Sequence, residues 1–245
     1  MRKKILAVIL VLSALVFLGS AGVLLYYWHQ DRSDAKVREL VSQLWSGDVT
    51  AEDGRDASFD GLLMENPDTI GWLRIEGTTV DDVVMQAPYE KNKYLHLDFY
   101  GNASARGTYY VAEECDLQTC DNVIIYGHHM KDGTMFGALM SYQDPAFAIA
   151  HPNIRFHTIY GDHTYQIIAA IPTQILPDSY DGFQYFQYTT SNDAERFEQY
   201  RNFILANRLY DTGVDFQFGD RLLTISTCAY HTSDGRFLVV AKMVE

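Results

Sequence analysis

The chain has 245 residues, of which 47% are hydrophobic, 13% aromatic and 21% charged, a profile of one medium globular domain with a short extra segment that excludes disordered and collagen-like chains. Nineteen Lys and Arg against 32 Asp and Glu give a net charge of −13, and residues 33–245, with 15 basic and 31 acidic side chains, carry −16. No Lys/Arg cluster relieves that acidity, which excludes a nucleic-acid partner. Three cysteines, Cys115, Cys120 and Cys228, are too few for a disulfide scaffold and lack the paired spacing of a structural zinc site.

Residues 5–28, Ile5 to Trp28, form an uncharged run of 24, long enough as a helix to cross a hydrocarbon core of roughly 30 Å. Arg2-Lys3-Lys4 precede it and the aromatic edge Tyr26-Tyr27-Trp28 closes it. The positive-inside rule therefore predicts a cytoplasmic 1–4, a transmembrane anchor at 5–28 and everything later outside the cell. The competing reading is a cleaved signal peptide, with Gly19-Ser20-Ala21 as small residues at the cleavage site; the apolar core of such a peptide is typically ~7–15 residues, shorter than this run.

An extracellular lead-in at 29–65 follows. Val37, Leu40, Val41 and Leu44 repeat at i, i+3, i+4, i+7 after Ser33, predicting an amphipathic helix over 33–45. A polar loop over 47–57 leads to a second helical piece around 59–64. Beyond Asn66-Pro67, short runs rich in Ile, Val, Thr and Tyr are punctuated by Gly and Asp. They predict strands at 69–75, 79–85, 107–112, 122–126, 153–159, 163–171, 221–227 and 236–244. Eight strands imply a mainly β, closed or nearly closed barrel, mostly antiparallel. Helices are expected at 135–142 and at 193–209, the second capped by Ser191 or Asn192.

Cys228 ends the run Leu222 to Thr227, and Arg236 opens the next apolar run. A hairpin would bring thiol and guanidinium together, and a thiolate beside a cation is a useful nucleophile; a buried structural cysteine near a surface arginine is the plain alternative. Of eight histidines, His128 and His129 directly follow an apolar strand and Gly127, a position suited to general acid/base work. Adjacent side chains on an extended chain point to opposite sides, and no third ligand stands at a recognisable spacing, so no metal is expected there.

The strings NVIIYGHHMKDGTMFGAL, LLTISTC and GRFLVVAKMV, with NPDTIGWLRIEGT, VVMQAPYE and KYLHLDFYG upstream, occur in the order found in the sortases, and the first resembles class B. The resemblance spans 66–245 and implies an eight-stranded sortase-like β-barrel with N-terminal helices and an inserted helix. It implies Cys228 as nucleophile, Arg236 as the arginine of the following strand and His128 as the histidine. Family members commonly carry Asn after YGH where this chain has His129; His128 is assigned because it directly follows the Tyr-Gly pair. His231, in the loop after Cys228, is a further histidine near the nucleophile. Ser226, Thr227 and Leu95 are placed at the substrate by position alone.

The implied reaction is that of a membrane-anchored cysteine transpeptidase, needing no cofactor. Cys228 cleaves a C-terminal sorting signal of a secreted protein after Thr, and the thioacyl enzyme passes the chain to a peptidoglycan or pilin amine. An extracellular cysteine protease or hydrolase is the alternative, although a papain-like enzyme would place its Cys ahead of its His; a non-catalytic acidic adhesion module is the other. Cys115 and Cys120 have no counterpart in the resemblance, and a disulfide or two free thiols both remain open.

Overall fold

The computed structural model describes residues 2–47, 49–52, 56–177, 179–189, 193–228 and 234–244. The chain divides into two units, 1–40 and 41–245. Helix α1, Arg2–Leu44, is continuous, so the amphipathic stretch expected at 33–45 extends the apolar helix instead of starting anew after Ser33. No Pro interrupts it and its only glycines are Gly19 and Gly22, so nothing local stops propagation. Leu10, Phe17 and Leu24 along it are each more than 60% exposed, and the helix is long and apolar enough to cross a membrane.

In the second unit, Trp45 stacks on Trp72 with ring centroids 4.9 Å apart, and Phe59 packs against Trp45 from just before helix α2, Asp60–Glu65. His157 Nε2 lies 2.6 Å from Asp56 Oδ2, joining this lead-in to the barrel wall.

The barrel strands are β1 Thr69–Ile75, β2 Asp81–Met85, β3 Tyr109–Val111, β4 Asn122–Gly127, β5 Asn153–Thr158, β6 Gly161–Gln174, β7 Leu222–Cys228 and β8 Gly235–Met243. All eight fall on the runs expected from sequence. They close in the order β1-β2-β3-β4-β7-β8-β6-β5. Six of the eight pairings are antiparallel; β2 with β3 and β4 with β7 are parallel, so the barrel is mixed. The parallel β4–β7 pair requires a long crossover, and that crossover carries β5, β6 and the helical elements.

Leu73, Ile125, Phe156, Leu223 and Phe237 belong to the cluster that fills the interior. The outer face of β6, β7 and β8 is covered by helix α4, Ala194–Asn207, through Phe197, Tyr200 and Ile204; each such side chain contributes about 1.5–3 kcal/mol of burial. Asp193 caps α4, its carboxylate accepting from the main-chain N–H groups of Glu195 and Arg196. The caps expected at Ser191 and Asn192 lie outside the described residues. The helical turn expected at 135–142 is a 3₁₀ helix, Phe136–Gln143, followed by a helix the sequence reading did not identify, α3, Pro145–Ala150, capped by Asp144. Cys115 and Cys120, left open above, form a disulfide in the β3–β4 connection, where both are almost fully buried.

Candidate active site

Strand register assembles the site. β4 and β7 run in parallel register from Asn122 opposite Leu222 to Gly127 opposite Thr227, and β7 pairs β8 through Ser226 opposite Leu238 and Cys228 opposite Arg236. Side chains alternate along a strand, so Tyr126, Ser226 and Leu238 form one row across three strands, and the next row outward is His128, Cys228 and Arg236. All three line one groove of about 430 Å³ at the C-terminal ends of β4 and β7. Each is partly buried.

The row beneath is held by buried polar contacts. Tyr200 Oη pairs with Thr224 Oγ1 at 2.5 Å and Tyr185 Oη with Ser226 Oγ at 2.8 Å. Asn122 accepts from the Thr224 hydroxyl and donates to the Tyr188 carbonyl, both within 2.8 Å, which ties the β6–β7 insertion to the strands beneath the site. Thr227 donates its hydroxyl to the Gly127 carbonyl at 2.9 Å. Gly127 itself admits no side chain, because a Cβ there would sit 2.7 Å from the rings of Phe136 and Tyr109.

His128 and His129 point to different partners. His128 lies on the groove, its Nε2 2.7 Å from the Leu95 carbonyl, with the His96 ring centroid 5.3 Å from its own. Burial holds its pKa below the ordinary histidine value; the bond to Leu95 opposes this and the nearby His96 adds to it. The neutral imidazole is thereby favoured. His129 Nδ1 lies 2.7 Å from the main-chain carbonyl of Cys228. Arg236 donates through Nη1 to the carbonyls of Gly235 and Asp234, at 2.9 and 3.2 Å. His231 lies outside the described residues.

Leu95, Ser226 and Thr227 also line the groove, but the two hydroxyls already have the protein partners named above. Sequence reasoning missed Tyr185, Phe186 and Ile175 on the wall from the β6–β7 connection, and Asn92 and Glu113 opposite. Asn92 adopts a left-handed conformation, φ 56°, with its N–H donated to the Glu113 carboxylate and its side-chain oxygen accepting from Tyr110 Oη at 3.0 Å. An Asn in a polar loop was the available signal. Burial raises the pKa of the Tyr185 phenol, partly offset by its bond to Ser226, so Tyr185 stays a neutral hydroxyl beside Arg236. Among the described residues no group of three His, Cys, Asp or Glu side chains could hold a metal ion.

A guanidinium and an imidazole flanking one free thiol can support attack on a carbonyl, stabilisation of the resulting oxyanion and proton transfer to a leaving group. The sortase domain family matches residues 73–244. Sortase B of Staphylococcus aureus is 30% identical over 190 residues, covering 76% of this chain and 75% of that protein. A crystal structure of Clostridium perfringens sortase B superposes with a TM-score of 0.68 at 28% identity, over 77% of this chain and all of that one. A Staphylococcus aureus sortase B–substrate complex gives 0.69 at 26% identity, over 88% and 94%. With the family match running from within β1 to the end of β8 and including His128, Cys228 and Arg236, the chain belongs to the sortase family of cysteine transpeptidases.

Proposed function

We propose that this transpeptidase is held in the cell membrane by residues 5–28, with 1–4 in the cytoplasm, 29–65 as an extracellular lead-in and the catalytic barrel, 66–245, outside. The uncharged run, its preceding basic cluster and its aromatic edge support that topology. The substrates are secreted proteins bearing a C-terminal sorting signal, cleaved after Thr, and the acceptor is a peptidoglycan or pilin amine.

The convergence of Cys228, His128 and Arg236 on one groove carries the reading. Neutral His128 takes the thiol proton and the sulfur attacks the Thr carbonyl. Arg236 neutralises the oxyanion, and His128 returns the proton to the departing amine. The thioacyl enzyme then waits; His128 accepts a proton from the incoming amine as it attacks, and resolution regenerates the thiol. Leu95 contributes an apolar contact to the peptide, whereas Ser226 and Thr227 act by holding the strand end. The cysteine hydrolase alternative differs only in the second step, where water replaces the amine.

Because Cys115 and Cys120 are paired, Cys228 is the one free thiol, and simple alkylation would label it whatever its reactivity. The informative test is mass spectrometry of protein mixed with a sorting peptide and quenched in acid. A mass increase equal to the acyl fragment, localised to Cys228 and absent in Cys228→Ala, is expected. An unmodified protein alongside cleaved peptide would refute covalent catalysis.

A further inference from the structure

His128 reaches the groove at the end of β4, but the atom that holds its ring belongs to the β2–β3 connection. There Lys93–Leu95 form a 3₁₀ turn. The Tyr94 and His96 carbonyls accept from the main-chain N–H groups of Thr108 and Ser104, each at 2.9 Å, and the Leu97 carbonyl accepts from the Thr108 hydroxyl at 3.0 Å. Tyr94 is buried and donates its hydroxyl to Asp68 at 2.8 Å. Gly107, at φ 60°, passes so close that a Cβ there would collide with the Tyr94 and Leu95 carbonyls. A pinned main chain therefore presents Leu95 and His96 to the groove, which both line beside His128.

The Leu95 contact fixes a tautomer. A carbonyl oxygen can only accept, so the His128 Nε2 that lies 2.7 Å from it carries hydrogen. A neutral imidazole has one N–H, which leaves Nδ1 of neutral His128 bare, and among the described residues none bonds it. His129 is the opposite case: its Nδ1 lies 2.7 Å from the Cys228 carbonyl, so there Nδ1 carries the hydrogen. The His96 ring, exposed, stands with its centroid 5.3 Å from that of His128 and tilted by 36°. The other charged or ionisable groups on the groove are Lys91, Glu113 and Glu114 from the connections flanking β3, Cys228 from β7 and Arg236 from β8. The phenols of Tyr110, Tyr126 and Tyr185 are kept neutral by burial. Among all of these, His96 is the one whose charge acts on His128; a protonated ring so close opposes a second proton on its neighbour.

We propose that the Leu95–His96 segment sets the protonation of the acid/base imidazole: the Leu95 carbonyl locks hydrogen on Nε2, so that His128 exchanges its reaction proton through Nδ1, and His96 is a positioning residue that keeps the ring neutral between transfers. This deepens the acid/base reading of His128 and rests on it. In the first step the S–H bond of Cys228 breaks, its electron pair stays on sulfur and the proton joins Nδ1. The imidazolium keeps its Nε2–H on Leu95, a bond that strengthens with the charge on the ring. The Nδ1 proton then passes to the departing amine, and the ring returns to the same tautomer. Leu95 and His96 act in opposite directions, the first favouring the charged ring and the second disfavouring it.

The test is proton–nitrogen correlation NMR of the full-length protein in detergent micelles, with isotope-labelled histidine and signals assigned from His128→Gln and His129→Gln. Above its titration, His128 should carry hydrogen on Nε2 and His129 on Nδ1. At low ionic strength His96→Gln should raise the His128 midpoint by about half a pH unit, the size expected for two unit charges 5.3 Å apart under water-like screening. His96→Lys, which keeps a cation there, should leave the midpoint at or below that of the unaltered protein. The acid limb of kcat/KM for a sorting peptide should move with these midpoints. The inference is overturned by an Nδ1–H tautomer of neutral His128, by a midpoint that His96→Gln leaves unchanged or lowers, or by an equal rise in both His96 variants. A midpoint that moves while the acid limb stays fixed would instead overturn the acid/base reading of His128 itself, which separates the two failures.

Discussion

His129 Nδ1 and the carbonyl oxygen of Cys228 lie 2.7 Å apart, so the second imidazole of the pair holds the main chain of Cys228 while the first lines the groove. A hydrogen bond of this kind contributes about 1 kcal/mol, equivalent to somewhat less than a tenfold change in rate if all of it were lost from the transition state. His129→Ala should therefore slow cleavage of a fluorogenic sorting peptide by no more than about tenfold. His128→Ala should slow it by about 10²-fold or more, as expected on loss of an acid/base group. Equal losses in the two variants would remove the distinction between a positioning and a catalytic histidine.

Cys228 and Arg236 are directly opposed on β7 and β8. Cys228→Ala should abolish turnover. Arg236→Ala should cost about 10²-fold, appearing in kcat if the guanidinium acts on the oxyanion formed only in the transition state. Steady-state kinetics that showed a raised KM with unchanged kcat would instead assign Arg236 to ground-state peptide binding.

Burial holds the His128 pKa below its ordinary value, which fixes the sign of a pH effect. The unfolded chain, with a histidine near 6.5, takes up this proton first on acidification. His128 therefore contributes stability that is present above about pH 6.5 and is lost as pH falls through its folded value. An NMR titration of the His128 ring should show a midpoint below about 6.5. The acid-side slope of urea stability should be shallower in His128→Gln; a midpoint above the ordinary value would contradict the burial argument.

The Cys115–Cys120 bridge spans a sequence separation of 5. Chain-entropy reasoning gives about 2 kcal/mol for so short a loop. The Cys115→Ser/Cys120→Ser double variant should lose about that much unfolding free energy in urea melts, and more if the buried hydroxyls find no partners. Unchanged stability would show the bridge to be dispensable.

The strands were legible because Ile, Val, Thr and Tyr runs between Gly and Asp punctuation need little tertiary context, and the Cys228–Arg236 pairing followed from one hairpin. Helix α3 was missed although Asp144-Pro145 is a cap followed by a first-turn proline; its six residues are too few for periodicity to register. The break expected before Ser33 failed because a capping residue stops nothing when the preceding helix runs through it. The partner of His129 was out of reach, since it is a main-chain carbonyl 99 residues away. The same holds for Tyr185 and Asn92, brought to the groove by loops whose paths only the closed barrel determines, and for the commitment of the Ser226 and Thr227 hydroxyls to protein partners.

The most direct test of the transpeptidase account is a partition experiment with a sorting peptide, the full-length enzyme and increasing concentrations of an acceptor amine, with products resolved by mass spectrometry. A thioacyl intermediate shared between water and amine predicts ping-pong kinetics and an amide-linked product that displaces the free acid as amine rises, all lost in Cys228→Ala. Only hydrolysed peptide, at saturating levels of oligoglycine, diamino acid and lysine amines alike, would contradict it.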